Sequence, residues 1–323
     1  MPAMDLDRRL LLVGAAGVSV AALAACQQPE PLLRVAGNAW VGYAPLFLAR
    51  ELGYFNHTKL RLLELPSNSA SLMALASGQV EAAALTLDEV LVAREGLVDL
   101  RVIMVFDESA GADVLMARPG ITRLAQLRGQ RVAVEDTATG ALMLASALAA
   151  AGLRPDDVIK VPLSGPTQVS SFARQEVDAV VSFEPFATQL DRLGAVRLVD
   201  SRQFPGAVVD VLAVRAAAVT RSPVQIGQLL AGYFQALAML QKSPAQAGHL
   251  MAPALGISTA ELTAALQGVR LMTLADNHAM LGGAAPGLRP MAQRVSELML
   301  GARLLTTPPR LDALADGRFL PSA

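Results

Sequence analysis

The stretch Asn38-Ala-Trp-Val-Gly-Tyr-Ala-Pro-Leu-Phe-Leu-Ala-Arg-Glu-Leu-Gly-Tyr-Phe55 decides how the rest of the chain is read. An apolar run just before it, Leu32, Leu33, Val35 and Ala36, reads as a buried strand. Gly37-Asn38 breaks that run ahead of a short loop with the only tryptophan in the sequence. A helix is expected next. Pro45 suits its first turn, where a missing N–H is harmless, and Gly53 suits the left-handed position just past its end. Trp40, Gly42 and Tyr43 then stand in front of a helix N-terminus, whose unpaired N–H groups can hold an anion or a polar acceptor beside an aromatic wall. An ordinary strand-to-helix turn around a core tryptophan would read the same way, so the decision rests on what recurs downstream.

A unit of strand, small polar loop and Ala/Leu helix does recur. Alternation predicts a strand over 59–65, then Pro66-Ser67-Asn68-Ser69 and a helix over 70–77 stopped by Gly78. The next strand covers 80–85, with Thr86 and Asp88 opening a helix that Gly96 ends. Strand 100–106 is broken by Asp107-Glu108-Ser109-Ala110-Gly111 before a strand at 114–117. Strand 130–134 leads through Glu135-Asp136-Thr137-Ala138-Thr139-Gly140 into a helix ending near 151. Strands 158–163 and 177–181 lead in the same way through Ser164-Gly165-Pro166-Thr167 and Ser182-Phe183-Glu184-Pro185. Such alternation predicts an α/β protein with mostly parallel sheets flanked by helices and ligands beyond the carboxyl ends of the strands. The echo between Gly78-Gln79-Val80-Glu81-Ala82 and Arg174-Gln175-Glu176-Val177-Asp178 points to two lobes facing across a cleft. After a return strand at 210–214 the tail reads as helices, at 223–240, 244–251, 258–267, 290–300 and 311–315, with Ser258 and Glu261 forming a capping box.

The 323 residues are 53% hydrophobic with a net charge of −1, enough for a large core, and they show no basic stripe of the kind nucleic acid requires. Residues 1–25 read as an export signal: Arg8-Arg9, then Leu10 to Ala25 without a charge, too short to span a bilayer. The signal ends at Leu23-Ala24-Ala25-Cys26, which resembles the lipobox of bacterial lipoproteins. Cys26, the only cysteine, is the expected lipid attachment site, and residues 26–31 form a polar tether. The paired arginines partly fit a twin-arginine signal. Removal of residues 1–25 leaves 25 basic and 26 acidic residues, still near neutrality.

Catalytic and metal chemistry find little support. His57, His249 and His278 have no ligand spacing and no partnered serine elbow, there is no CxxC, and neither a Walker loop nor a dinucleotide fingerprint occurs. No catalytic residue, metal or cofactor is assigned. What remains is a set of polar residues at strand ends: Trp40, Gly42, Tyr43, Ser69, Thr86, Ser109, Gly111, Thr137, Thr139, Gly140, Glu184 and Asp210. Singly, each hydroxyl or carboxylate reads as a helix cap. Their shared topological position makes them a candidate ligand site, hydroxyls and helix N-termini suiting a small anion or zwitterion, Glu184 and Asp210 an amine or a hydrogen-bonding ring. No pocket Arg or Lys is evident for a free oxyanion.

The stretches Trp40-Val-Gly-Tyr-Ala-Pro-Leu46, Ala49-Arg-Glu-Leu-Gly-Tyr-Phe55, Ala76-Ser-Gly-Gln-Val-Glu-Ala82, Asp107-Glu-Ser-Ala-Gly-Ala-Asp113, Ala150-Ala-Gly-Leu153 and Phe183-Glu-Pro-Phe186 resemble, in order, the substrate-binding components of ABC importers of the nitrate/sulfonate/taurine class, which include binders of thiamine pyrimidine precursors. The resemblance implies a two-lobed periplasmic-binding-protein fold (type II) that closes on its ligand, with residues 32–112 and 211–323 as lobe 1, 113–210 as lobe 2 and a helical C-terminal tail. It also implies a monomeric, lipid-anchored, extracytoplasmic protein, in the periplasm or on the outer face of the cytoplasmic membrane. Such a protein delivers a small organic solute, sulfonate-like or nitrogenous, to an ABC permease. Trp40 to Tyr43 match the first ligand loop, Ser69 and Thr86 the next two, Ser109 and Gly111 the crossover, Thr137 to Gly140 the second-lobe loop, and Glu184 its last contact. Asp107 and Asp113 are unusual for an anion site if they face inward. A ligand sensor for a membrane kinase and an exported enzyme on the same fold are the alternatives.

Overall fold

A computed structural model describes residues 31–322 of the chain. The expected signal, Cys26 and most of the tether lie outside the described residues. Strand β1 (Leu33–Gly37) enters the core, a single 3-10 turn carries Val41 to Tyr43, and helix α1 (Ala44–Glu51) follows with Pro45 in its first turn. Then come β2 (Leu60–Glu64), α2 (Asn68–Ser77), β3 (Ala82–Thr86), α3 (Leu87–Glu95) and the long β4 (Leu100–Ser109). The chain crosses at residues 110–112 into β5 (Asp113–Ala117), β6 (Arg131–Val134), α4 (Ala138–Ala150), β7 (Ile159–Pro162), α5 (Gly165–Ala173), β8 (Ala179–Phe183), α6 (Phe186–Arg192) and β9 (Val196–Asp200). It returns through residues 201–208 into β10 (Val209–Arg215). The rest is α7 (Ala216–Arg221), α8 (Pro223–Lys242), α9 (Pro244–Met251), α10 (Thr259–Leu266), β11 (Val269–Leu271), α11 (Leu274–Leu281) and α12 (Leu288–Gly301).

These strands build two sheets, ordered β11-β4-β10-β3-β1-β2 and β7-β6-β8-β5-β9. The expectation of mostly parallel sheets needs correction: both are mixed. The βα units pair in parallel, β1 with β2 and β3, and β6 with β7 and β8. The strands that enter and leave at the crossings, β4, β5, β9 and β10, pair antiparallel. A chain that leaves one sheet and returns to it from the other cannot keep one direction throughout.

Both faces of each sheet are covered. In β3, Ala82 and Ala84 pack into one apolar cluster and Ala83 and Leu85 into the opposite one, and β8 divides in the same way between Val180 and the pair Ala179 and Val181. A strand buried on both sides loses its alternation and reads as an apolar run, which is why these strands are visible as such. Several elements differ from the expected series. Residues 311–315 form no helix but lie along β4, where Ala315 bridges Val102 and Leu314 accepts from its N–H. Strands β9 and β11 and helix α11 were not expected, being short, partly exposed and without strong periodicity. Among the described residues, no helix is long and apolar enough to cross a membrane.

Candidate functional site

Strand register assembles the site. Asp210, near the start of β10, sits opposite Thr86 on one neighbour and Asp107 on the other, so three polar side chains form a row at the end of the six-stranded sheet. Facing them, β5 opens on Asp113, which pairs with Phe183 at the end of β8, and Glu135 to Gly140 follow β6. The carboxyl ends of the parallel strands of both sheets thus point into one crevice, where ligands of open α/β sheets sit.

On the first side the turn after β1 supplies the wall. Trp40 donates its indole N–H to Asp107 Oδ2 at 3.2 Å, and the Tyr43 hydroxyl donates to Asp210 Oδ1. Gly42 works through what it lacks, since a Cβ there would lie 2.0 Å from Asp107 Oδ2 and 2.4 Å from Trp40 Nε1. Phe183 reaches across from the other sheet and meets the Trp40 ring edge-on, centroids 5.9 Å apart.

A hydroxyl network joins the two sides. Thr86 and Thr139 share a hydrogen bond of 2.8 Å, and Thr139 also lies 3.0 Å from Asp88 Oδ2 in the first turn of α3. Ser69 donates to the Asp136 carbonyl. The free space between the two sides is accordingly small, about 30 Å³, room for little more than a water molecule.

What surrounds that space is unusual. Asn38 Oδ1, Asn68 Oδ1, Asp113 Oδ2, Glu135 Oε1, Ser182 Oγ and Asp210 Oδ2 all belong to lining residues, are shielded from solvent, and have no hydrogen-bond partner among the described residues. No Lys or Arg lines the cavity among those residues. Asp113 is 6% exposed, Asp210 3% and Glu135 8%. Burial pushes Asp113 and Glu135 up to about 7, and Asp107 behind them likewise to about 7. Burial, and after it the Asp107 charge, holds Asp210 well above the usual carboxylate range. Glu89, buried beside Asp88, rises to about 8.

Of the twelve residues expected from sequence, Trp40, Tyr43, Thr86, Thr137, Thr139, Gly140 and Asp210 line this cavity. Thr137 also caps α4, its Oγ1 accepting from Gly140 N at 2.9 Å. Gly42 lies behind the Trp40–Asp107 pair, and Ser69 bridges the two sides. Ser109 and Gly111 do not line the cavity: they are tied to the second crossing, Ser109 Oγ to Ser201 Oγ at 2.8 Å and Gly111 N to the same oxygen at 2.7 Å. Glu184 turns away too. Lying just past the end of β8, its carboxylate caps α6, accepting from Thr188 N at 3.0 Å and from Thr188 Oγ1 at 2.7 Å, and it pairs with Arg197 at 3.0 Å.

Sequence reasoning missed Asn38, Asn68, Glu135, Ser182 and Phe183 as lining residues and left Asp113 undecided. Each lies within two residues of one that was chosen, so the loops were found but not the orientation within them. That the carboxylates have no basic partner can be seen only once the loops converge.

The architecture is that of periplasmic binding proteins. The structure superposes on the alkanesulfonate-binding protein of Xanthomonas axonopodis pv. citri bound to MOPS with a TM-score of 0.73 at 20% identity, over 87% of this chain and 97% of that one. A solved desulfurization enzyme, DSZB, shares the fold at a TM-score of 0.63 and 19% identity, over 90% and 97%. Along 137 residues the sequence is 28% identical to the taurine-binding periplasmic protein of Escherichia coli (strain K12). That match takes in 42% of this chain and 42% of that protein, so the chain spans less than half the length of the relative it matches. A sequence profile of the NMT1-like family matches residues 27–254, well over half of the chain, and the chain belongs to that family.

Proposed function

We propose that this protein is an extracytoplasmic solute-binding protein that captures a small organic solute between two lobes and delivers it to an ABC permease. The observation that carries the reading is the crevice itself: loops from both sheets converge on a space walled by Trp40, Tyr43 and Phe183 and ringed by buried polar atoms that the described chain leaves without partners. Buried polar groups are otherwise almost always paired, and groups left open at the meeting of two sheets fit a bound molecule. The likeness to a taurine-binding and an alkanesulfonate-binding protein supports a solute of comparable size. In this reading residues 32–112 with 211–323 form one lobe and 113–210 the other. The Thr86–Thr139–Asp88 network holds them together, and they part to admit the solute.

A protein exported through residues 1–25, lipidated on Cys26 and monomeric completes the proposal. Native mass spectrometry of the purified protein, with thermal-shift titration against sulfonates, taurine, nitrate, amines and pyrimidines, tests it. A ligand-free protein, shown to be folded, that responds to none of them sinks it. Cys26→Ser should move the protein from the membrane fraction to the soluble one; if the distribution is unchanged, the anchor is wrong.

A further inference from the structure

The lining of the crevice says more about its occupant than that it is small. Six buried polar atoms of the lining residues lack a partner among the described residues, three of them carboxylate oxygens (Asp113 Oδ2, Glu135 Oε1 and Asp210 Oδ2, the Asp210 carboxyl lying against Asp107), two amide oxygens and one hydroxyl. Ionised, the carboxylates only accept hydrogen bonds; protonated, as burial favours for Asp210, they also donate one, and among the described residues no Lys or Arg stands in the lining to balance them. A further acid layer lies directly behind: Asp107 held by Trp40, and Asp88 held by Thr139. A sulfonate placed here would meet carboxylates on both sides of the crevice and, apart from backbone N–H groups and hydroxyls, no positive charge. At the spacing of hydrogen-bonded neighbours in a partly shielded site, ionised carboxylates repel an anion.

We propose that the solute is a small organic cation with N–H donors, an ammonium or amidinium-type head, held by Asp113 and Asp210 with its carbon part against Trp40 and Phe183.

This deepens the solute-binding reading and rests on it. Each part of such a ligand meets something in the site. Its N–H groups satisfy the open oxygens, which removes the cost of leaving them buried and unpaired. Its charge offsets the desolvation that pushes Asp113 and Glu135 up to about 7. The apolar part lies against ring faces and edges, the usual environment of organic cations bound by aromatic side chains. A metal ion fits less well, since among the described residues no three His, Cys, Asp or Glu groups are gathered closely enough to chelate one.

The test holds the carbon part constant and changes only the head. Benzamidine, benzamide and benzenesulfonate form one series; methylammonium, acetamide and methanesulfonate form a second, for a space that stays narrow. Each is titrated calorimetrically into the full soluble chain near pH 7.5, with taurine alongside. The expected result is that the cation of at least one series binds at least tenfold more tightly than its neutral and sulfonate counterparts. Asp113→Asn and Asp210→Asn should each weaken that binding tenfold or more, and Glu135→Gln less. The Asn variants keep shape while removing charge, and circular dichroism and thermal melts establish that they fold. Preference for a sulfonate over its matched cation, or for taurine over methylammonium, overturns the cation and leaves the solute-binding reading standing. Equal binding of benzamidine and benzamide, or binding that the Asn variants leave unchanged, likewise overturns it. If no probe binds, and native mass spectrometry of the folded protein shows no carried solute, both readings fall.

Discussion

Two clusters of carboxylates flank the crossing strands, and they could hardly be treated more differently. In the open groove of about 590 Å³ on one side, Glu184 and Asp191 share Arg197 at 3.0 and 2.7 Å, and Glu261 is paired with Arg192. The hydrogen bond from Arg192, before any other influence, holds Glu261 down at about 2. In the crevice, Asp107, Asp113, Glu135 and Asp210 have no arginine or lysine partner among the described residues, and burial drives all four upward. The acids of the groove are offset by cations the chain supplies; those of the crevice are buried without one and cost stability.

The largest expected effect comes from disturbing the unpaired set at its tightest point. Gly42→Val should force Trp40 and Asp107 apart, costing about 1–3 kcal/mol by overpacking and abolishing solute retention. Urea midpoints and native mass spectra read the two consequences. Stability close to wild type would show that the Trp40–Asp107 pair does not organise the crevice.

Next comes pH. Asp107, Asp113, Glu135, Glu89, Asp88 and Asp210 are all buried, and all have folded-state pKa values above their unfolded ones. The folded protein therefore binds more protons, so their contribution is fully present near pH 4 and is lost as pH rises through about 7 to 8. The paired acids such as Glu261, lowered to about 2, are ionised throughout this range and do not blur it. The melting temperature of the ligand-free protein should fall by several degrees between about pH 5 and 8.5. A saturating cation should remove most of the fall. A flat profile without ligand would remove the contrast between the clusters.

Thr139→Val tests whether the hydroxyl network closes the crevice. It removes the bond to Thr86 and leaves buried Asp88 without that donor, a loss of about 1–2 kcal/mol, which corresponds to roughly tenfold in affinity. Calorimetry measures the affinity and small-angle scattering the dimensions of the free protein. Unchanged values in both would show that the network is passive. The smallest effect belongs to the paired cluster: Arg192→Ala should shift the melting temperature by no more than about 1 °C, and less still in roughly 0.5 M salt, because the pair with Glu261 is solvent-exposed.

How far the sequence reveals this contrast follows from what each signal depends on. The βα units were legible because their strands are buried on both faces, so Ala82 to Leu85 or Val132 to Val134 stand out as apolar runs. Strand β9, half-exposed and carrying Arg197 and Asp200, had no such mark. At the site, loop positions were legible, since Pro45, Thr86 and Thr137 mark helix starts, and the loops before them converge. Side-chain direction was not. Thr139 and Glu184 look equally suited as loop residues, yet Thr139 faces the crevice and Glu184 folds back onto Thr188. The acidity of the crevice arises from Asp113, Glu135 and Asp210, which lie far apart along the chain and meet only through strand register.

The stitch between the two crossings constrains movement. Ser109 at the end of the outgoing strand and Ser201 at the start of the return share a hydrogen bond, Gly111 adds a second bond to Ser201, and Asp113 N adds one to Ser109 at 3.1 Å. Two ribbons fastened to each other at one point behave as a single pivot. If the halves part to admit a solute as proposed, they would swing about this point rather than slide, the gap widening with distance from the serines, so that reporter groups on the far rim register a swing that the serines themselves scarcely feel.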